Sequence, residues 1–162
     1  MATIQFKKGD EYLAKIAKLE ALTRDEVCGS AIYGAAGVVA DEIRAQLESV
    51  PTNERYGTQS EPTDGPKKMQ KLGLLHSLGI ADLQDDGTGY LNVKIGWNGY
   101  NNIKTRRWPN GQPNQMVARS VERGTSYMKE NGFVKRAVAA TRKRAVEFMK
   151  KTIDSKCEQI MK

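Results

Sequence analysis

Apolar residues recur along this chain with two different periods, and the changes of period divide it into elements. From Phe6 to Leu22, Leu13, Ile16 and Ala17 fall at helical spacing behind Gly9 and Asp10, which predicts a short N-terminal amphipathic helix. Thr23 and Glu26 have the spacing of a capping box, and Leu22 and Val27 are placed for the accompanying hydrophobic staple. A second helix is therefore expected from about Arg24. Its stripe of Cys28, Ile32, Ala35, Val39, Ile43 and Leu47 keeps intervals of three or four up to Pro51, where the chain must leave the helix. Gly29, Gly34 and Gly37 each weaken this helix by up to ~1 kcal/mol relative to Ala. The expected reason is close approach of another element to a small-residue face, with a hinge as the alternative.

The stretch from Pro51 to Lys68 carries Pro51, Pro62, Pro66, Gly57 and Gly65 among polar residues, with Tyr56 its only aromatic, and reads as a long loop of the kind that is functional or disordered. Met69 to Gly79 holds Leu72, Leu74, Leu75 and Leu78 and predicts a short helix or an approach to a strand. Ile80 to Gln84 alternates, Asp85 to Gly89 supplies a turn, and Tyr90 to Trp97 alternates again through Leu91, Val93, Ile95 and Trp97. A β-hairpin with Trp97 on its buried face follows. Asn98 to Asn114 returns to Asn, Gly, Pro and Arg and includes Lys104, Arg106, Arg107 and Trp108, a basic, aromatic loop suited to contacts. Gln115 to Glu122 is a third strand or a short helix with Val117 and Val121 apolar, and from Phe133 the series Val134, Val138, Thr141, Ala145, Phe148 and Thr152 predicts the longest helix. The whole is α+β: a small antiparallel β-sheet packed against two long helices, the second and the C-terminal, with a short N-terminal helix and long loops. No internal repeat of fixed period is present.

Composition adds bounds. The 162 residues suit one domain, 1–162, and no apolar run approaches the ~20 residues of a membrane-spanning helix. The N-terminal MATIQFKKGDEY lacks the apolar centre of a signal peptide, so export by that route is not expected. Cys28 and Cys157 lie far apart in helical patterns and are expected to be reduced, small and apolar in behaviour. Charge is unevenly placed: nine Lys or Arg against three acids fall between Phe133 and Lys162, which accounts for six of the formal +7. Lys143, Arg144, Lys150 and Lys151 are therefore candidate nucleic-acid contacts, against the alternative that they form a solvated helix face without interleaved aromatics or a groove-reading motif.

Catalytic chemistry finds little to stand on. His76 adjoins Ser77, yet neighbours in sequence do not thereby form a nucleophile and its base. Asp82, Asp85 and Asp86 beside Gly87 read first as a turn, in which Asp and Gly serve the backbone. No Cys/His cluster occurs, and the glycines of GTGYLNVKIG precede a strand and lack phosphate-loop spacing. No catalytic, cofactor or metal residue is assigned, and the chain is not expected to be an enzyme.

A more specific pattern lies at Val121-Glu122-Arg123-Gly124-Thr125-Ser126, followed by Gly132-Phe133-Val134 and a charged helix. It resembles the C-terminal signature of the tail-completion, or head-to-tail joining, proteins of long-tailed bacteriophages, and Leu72-Gly73-Leu74-Leu75-His76-Ser77-Leu78 resembles their upstream hallmark. The Ala-rich helix of Ala31 to Ala45 stands before it as in that family, so the similarity covers most of the chain in order. The departures are Leu72 for the usual Thr, Gly132 for the Pro before Phe, and the two longer loops. The resemblance implies a non-enzymatic virion protein at the neck or tail end, assembled in the bacterial host cytoplasm. Its implied partners are itself, as a hexameric ring, and the connector, tail-terminator or tail-tube proteins, with DNA secondary and no membrane. The motif turn of Glu122, Gly124, Thr125 and Phe133 is expected to serve turn geometry, local capping and anchoring of the last helix on the sheet. Contacts between subunits are expected from the loops, at Tyr56, Arg106, Arg107 and Trp108, because exposed aromatics and Arg enrich interface centres. The alternative function is a small nucleic-acid-binding protein using the basic C-terminal helix.

Overall fold

Two long helices frame the protein, whose structure, a computed structural model, describes residues 11, 13–17 and 23–161. The expected N-terminal helix falls largely outside these residues, though 13–17 are helical, and the Thr23–Glu26 capping box and Leu22 staple lie outside the described side chains. A π-helical turn, Thr23–Cys28, runs without a break into α1, Gly29–Ser49, which ends just before Pro51 as the proline requires. The helices α2, Lys68–Ser77, α3, Asn114–Arg123, and α4, Phe133–Met161, complete the helical part. The ambiguous segment around Val117 and Val121 is thus helical, and both valines are buried.

The hairpin forms as two short antiparallel ladders instead of one sheet. Strands β1, Leu78–Ile80, and β4, Ile95–Trp97, pair with Leu78 opposite Trp97, and β2, Gln84–Asp85, pairs with β3, Leu91–Asn92, nearer the turn. Between them the Ala81 amide still donates to the Lys94 carbonyl at 2.8 Å, so the arm stays joined where the ladder lapses. From Ala81 to Tyr90 every residue except Leu83 is exposed.

Helices α1 and α4 run antiparallel. Near one end Arg136 Nε donates to Gln46 Oε1, and near the other Lys156 Nζ donates to the Glu26 carbonyl. Small residues permit the approach: α4 buries Ala137, Thr141 and Ala145 at intervals of four, and α1 buries Ala31 and Ala35. Thr141 satisfies its buried hydroxyl by donating to the Ala137 carbonyl at 2.7 Å. Two of the three helix glycines have the expected reason. A Cβ on Gly34 would enter the Phe148 ring, and one on Gly29 would stand 2.6 Å from Leu83 Cδ2, whereas Gly37 faces open space and has no packing reason.

One core collects side chains from every layer: Ile43 and Leu47 of α1, then Val50, Leu74 of α2, Leu78 of β1, Val117, Ala118 and Val121 of α3, and Phe133 and Ala137 of α4. The Phe133 ring meets Trp97 edge to face, with centroids 5.8 Å apart and planes at 70°, and this joins the last helix to the sheet. The fold is α+β, with the two long helices packed together against a small antiparallel β region. The stripes differ in detail from their expected form. Val138 is exposed, Phe148 is 40% exposed although one edge of its ring packs on Gly34, and Cys28, Ile32 and Val39 are half-buried while Ala31 and Ala40 are buried. No helix among the described residues is long and apolar enough to cross a membrane.

Truncation should separate the two kinds of apolar position on α4. Phe133→Ala is expected to cost about 3–5 kcal/mol and Val138→Ala to stay within ~0.5 kcal/mol, as read from urea unfolding midpoints.

Candidate functional site

The segment from Val121 to Val134 is built as a clamp. Gly124 ends α3 with φ 71° and ψ 174°, a conformation that L side chains rarely adopt, and a Cβ there would stand 2.7 Å from the Glu130 amide nitrogen. Thr125 and Met128 then close a tight turn, the Thr125 amide donating to the Met128 carbonyl at 2.7 Å and the Tyr127 amide donating to Thr125 Oγ1 at 3.2 Å. The chain returns antiparallel to its start, with the Asn131 and Gly132 amides donating to the Val121 and Glu122 carbonyls at 3.0 and 3.1 Å. Gly132, at φ 67°, turns the backbone into α4.

Glu122 completes the clamp. Its carboxylate accepts the Val134 amide at 2.8 Å and the Lys135 amide at 3.0 Å, so a residue of α3 caps the N-terminus of α4. Two orphan donors are satisfied, and a negative charge is set at the positive end of the helix dipole. Arg136 adds donors to the carbonyl and side-chain oxygens of Asn131. Gly124 makes the turn at positive φ and Phe133 meets Trp97 of the sheet, whereas Glu122, expected to cap or pair locally, caps the next helix instead.

The long loop after α1 is fastened to the same turn. Thr63 donates its amide to the Tyr127 carbonyl at 3.0 Å and accepts the Lys129 amide at 2.8 Å, while Lys129 Nζ pairs with Asp64 at 2.7 Å. Between loop and turn lies a cleft of about 390 Å³, lined among others by Tyr56, Lys67, Gln70, Met116, Thr125 and Tyr127. Tyr56 is 69% exposed, and Lys67 Nζ sits 3.4 Å from its ring centroid. Tyr56 and Thr125 therefore share one cleft.

Arg106, Arg107 and Trp108 do not line it. They occupy the tip of the second long loop, where the Thr105 and Trp108 backbones exchange hydrogen bonds at 3.1 and 3.0 Å. Arg106 and Arg107 are exposed, Arg107 Cζ lies 5.7 Å from the Trp108 centroid, and Trp108 is half-buried, less open than an interface anchor was expected to be. The loop is held at its base by Asn101, whose Oδ1 accepts the Ile103 amide at 2.9 Å and the Gln112 amide at 3.2 Å, and by Asn114 Nδ2, which donates to the Asn98 carbonyl at 3.0 Å. Both Asn101 and Asn114 are buried. Nothing in the spacing of a loop rich in Asn marks which amides turn inward, so neither stood out in sequence.

The remaining candidates are placed apart. His76 is exposed and Ser77 half-buried beside a groove with Tyr100 and Asn102, and no hydrogen bond joins the pair. Asp86 Oδ1 accepts the Thr88 hydroxyl at 2.7 Å, the Thr88 amide at 2.9 Å and the Tyr90 amide at 3.3 Å, and Asp85 accepts the Gly87 amide. The Thr88 hydroxyl and amide hold the Asp86 carboxyl below the usual carboxylate range, so these aspartates serve the turn as expected. Among the described residues, no group of three His, Cys, Asp or Glu could hold a metal ion. Cys28 and Cys157 are free thiols. Lys143, Arg144, Lys150 and Lys151 are all exposed on α4, in two rows seven residues apart with Glu147 between them. No protein-family model, curated protein or solved structure matches the chain.

Glu122→Ala should cost about 1 kcal/mol in urea unfolding through loss of the cap, and Glu122→Gln less, because one amide acceptor survives. The lowered Asp86 value implies that the ionised turn is favoured above its unfolded titration and loosens as pH falls through the folded value. The Thr88 amide resonance is expected to track that titration, and Asp86→Asn to flatten its pH dependence.

Proposed function

We propose that this chain is a non-enzymatic structural virion protein of a tailed bacteriophage or prophage, acting in head-to-tail joining or tail completion by assembling as a ring. The observation that carries the reading is a convergence. The upstream motif segment Leu72–Leu78 and the downstream segment Val121–Val134 are distant in sequence, yet Leu74 and Leu78 of the first pack in one core with Val121 and Phe133 of the second. Motifs that resemble a family at both places and in the family's order thus belong to one architectural joint. That is the form a resemblance takes when an architecture underlies it.

The exposed surface supports the same reading. Outside the clamp the molecule presents polar loops, an exposed hairpin arm and a cleft edged by Tyr56 and Tyr127, and these are features that neighbours in an assembly can cover. A second reading, binding to nucleic acid, is favoured by one observation: Lys143, Arg144, Lys150 and Lys151 are exposed and enter no ion pair with a described residue.

Native mass spectrometry of the purified chain, alone and mixed with phage connector and tail-tube proteins, tests the first reading. A closed oligomer of one stoichiometry is expected, and a monomer in every mixture would overturn it. The second reading predicts duplex binding whose affinity falls with salt at a log–log slope of roughly −4 for four phosphate contacts, and absence of binding at low salt removes it.

A further inference from the structure

We infer that the acidic hairpin arm of one copy docks in the basic groove between α1 and α4 of the next; the inference rests on the ring reading and gives it a contact. The arm carries Asp82, Asp85 and Asp86 with no Lys or Arg between Ile80 and Val93. Beside these acids Tyr90 is 66% exposed. Its inner ladder is two residues long on each side, and a short two-stranded hairpin gains little stability from its own pairing, so a surface that covers it also orders it.

The groove offers the arm opposite charges and an apolar floor. Val38, Arg144, Glu147, Phe148 and Lys151 line a shallow depression of about 260 Å³. Phe148, 40% exposed, supplies an apolar floor with Val38, and Arg144 and Lys151 stand one on each side in sequence, backed by Lys143 and Lys150 on the next row. An aromatic ring flanked by carboxylates matches an aromatic floor flanked by cations. The ring finds an edge or face partner, and the charges pair at the rim, where they set register and partner choice more than affinity. A phosphate backbone would use the cations but leave the apolar floor open. Glu147 is the one acid in the lining and lies between the two cations in sequence.

Geometry makes the contact intermolecular. Leu83, at the base of the arm, packs on Gly29, while Phe148, in the groove, packs on Gly34. Five positions on an α-helix are about 140° of rotation, so arm and groove occupy different faces of α1. Each copy then offers one arm and one groove on separate sides. Such a heterologous contact, repeated, closes into a ring when the rotation allows.

Paired charge reversals test this. One variant carries Arg144→Glu and Lys151→Glu, the other Asp82→Lys and Asp85→Lys, and sedimentation velocity is run under conditions where the wild-type chain assembles, with circular dichroism to check that each variant is folded. Each variant alone is expected to self-associate roughly 100-fold more weakly than wild type, since like charges opposed across an interface are strongly disfavoured. Mixed in equal amounts, the two are expected to recover assembly in an alternating arrangement, which a misfolded variant could not do. Folded variants that assemble alone like wild type, or a mixture that stays dissociated, overturn the arm-and-groove contact while leaving the ring reading intact. A wild-type chain that is monomeric alone and with its neck partners overturns the ring reading and this contact together.

Discussion

The Glu122 carboxylate, bonded to the Val134 and Lys135 amides, is the constraint on which the rest of the molecule depends. By fixing where α4 begins, it fixes where Phe133 enters the core, and Phe133 is fully buried. From there the small residues Ala137, Thr141 and Ala145 follow at helical intervals along α1. The cap is worth about 1 kcal/mol, small beside the burial of an aromatic ring, but it sets the phase of a 29-residue helix. A shift of one residue in that start would rotate the seam by about 100° and bring Arg136 or Val138 to face α1 in place of Ala137.

The same turn reaches outward. Tyr127 and Lys129 hold Thr63 and Asp64, so the long loop after α1 is fastened to the clamp and the cleft around Tyr56 lies between them. The segment from Val121 to Val134 is thus occupied with internal bonding. Surfaces available to partners lie around it, at the cleft, the arm and the outer face of α4. This division accords with the general behaviour of architectural motifs, which persist because a fold needs them, while contacts are made by what the fold displays.

Much of this was legible in the residues. The periods of α1 and α4, the stop at Pro51, the Asp-Asp-Gly turn and the Trp97 face of the hairpin all follow from local rules that the structure obeys. What stayed hidden depends on contacts distant in sequence. Val138 lies on a periodic stripe, yet the buried face of α4 runs through Ala137, Thr141 and Ala145, so it is exposed. The inward turn of Asn101 and Asn114 is decided by backbone groups of their own loop, and the half-burial of Trp108 by a local turn at Thr105, neither of which leaves a periodic trace. The capping residue of α4 sits on another helix, so no spacing rule for a local cap reveals it. Gly34 and Gly29 asked for neighbours, but only the fold supplies Phe148 and Leu83.

Native-state hydrogen exchange measures the clamp most directly. If Glu122 holds α3, the turn, the loop and α4 as one unit, the amides of Val134 and Lys135 and those of Thr63 and Lys129 should open with the same free energy and respond together to denaturant. Exchange of the first pair at rates typical of a frayed helix end, with Thr63 and Lys129 still protected, would contradict the account and leave the turn and the last helix as separate structures.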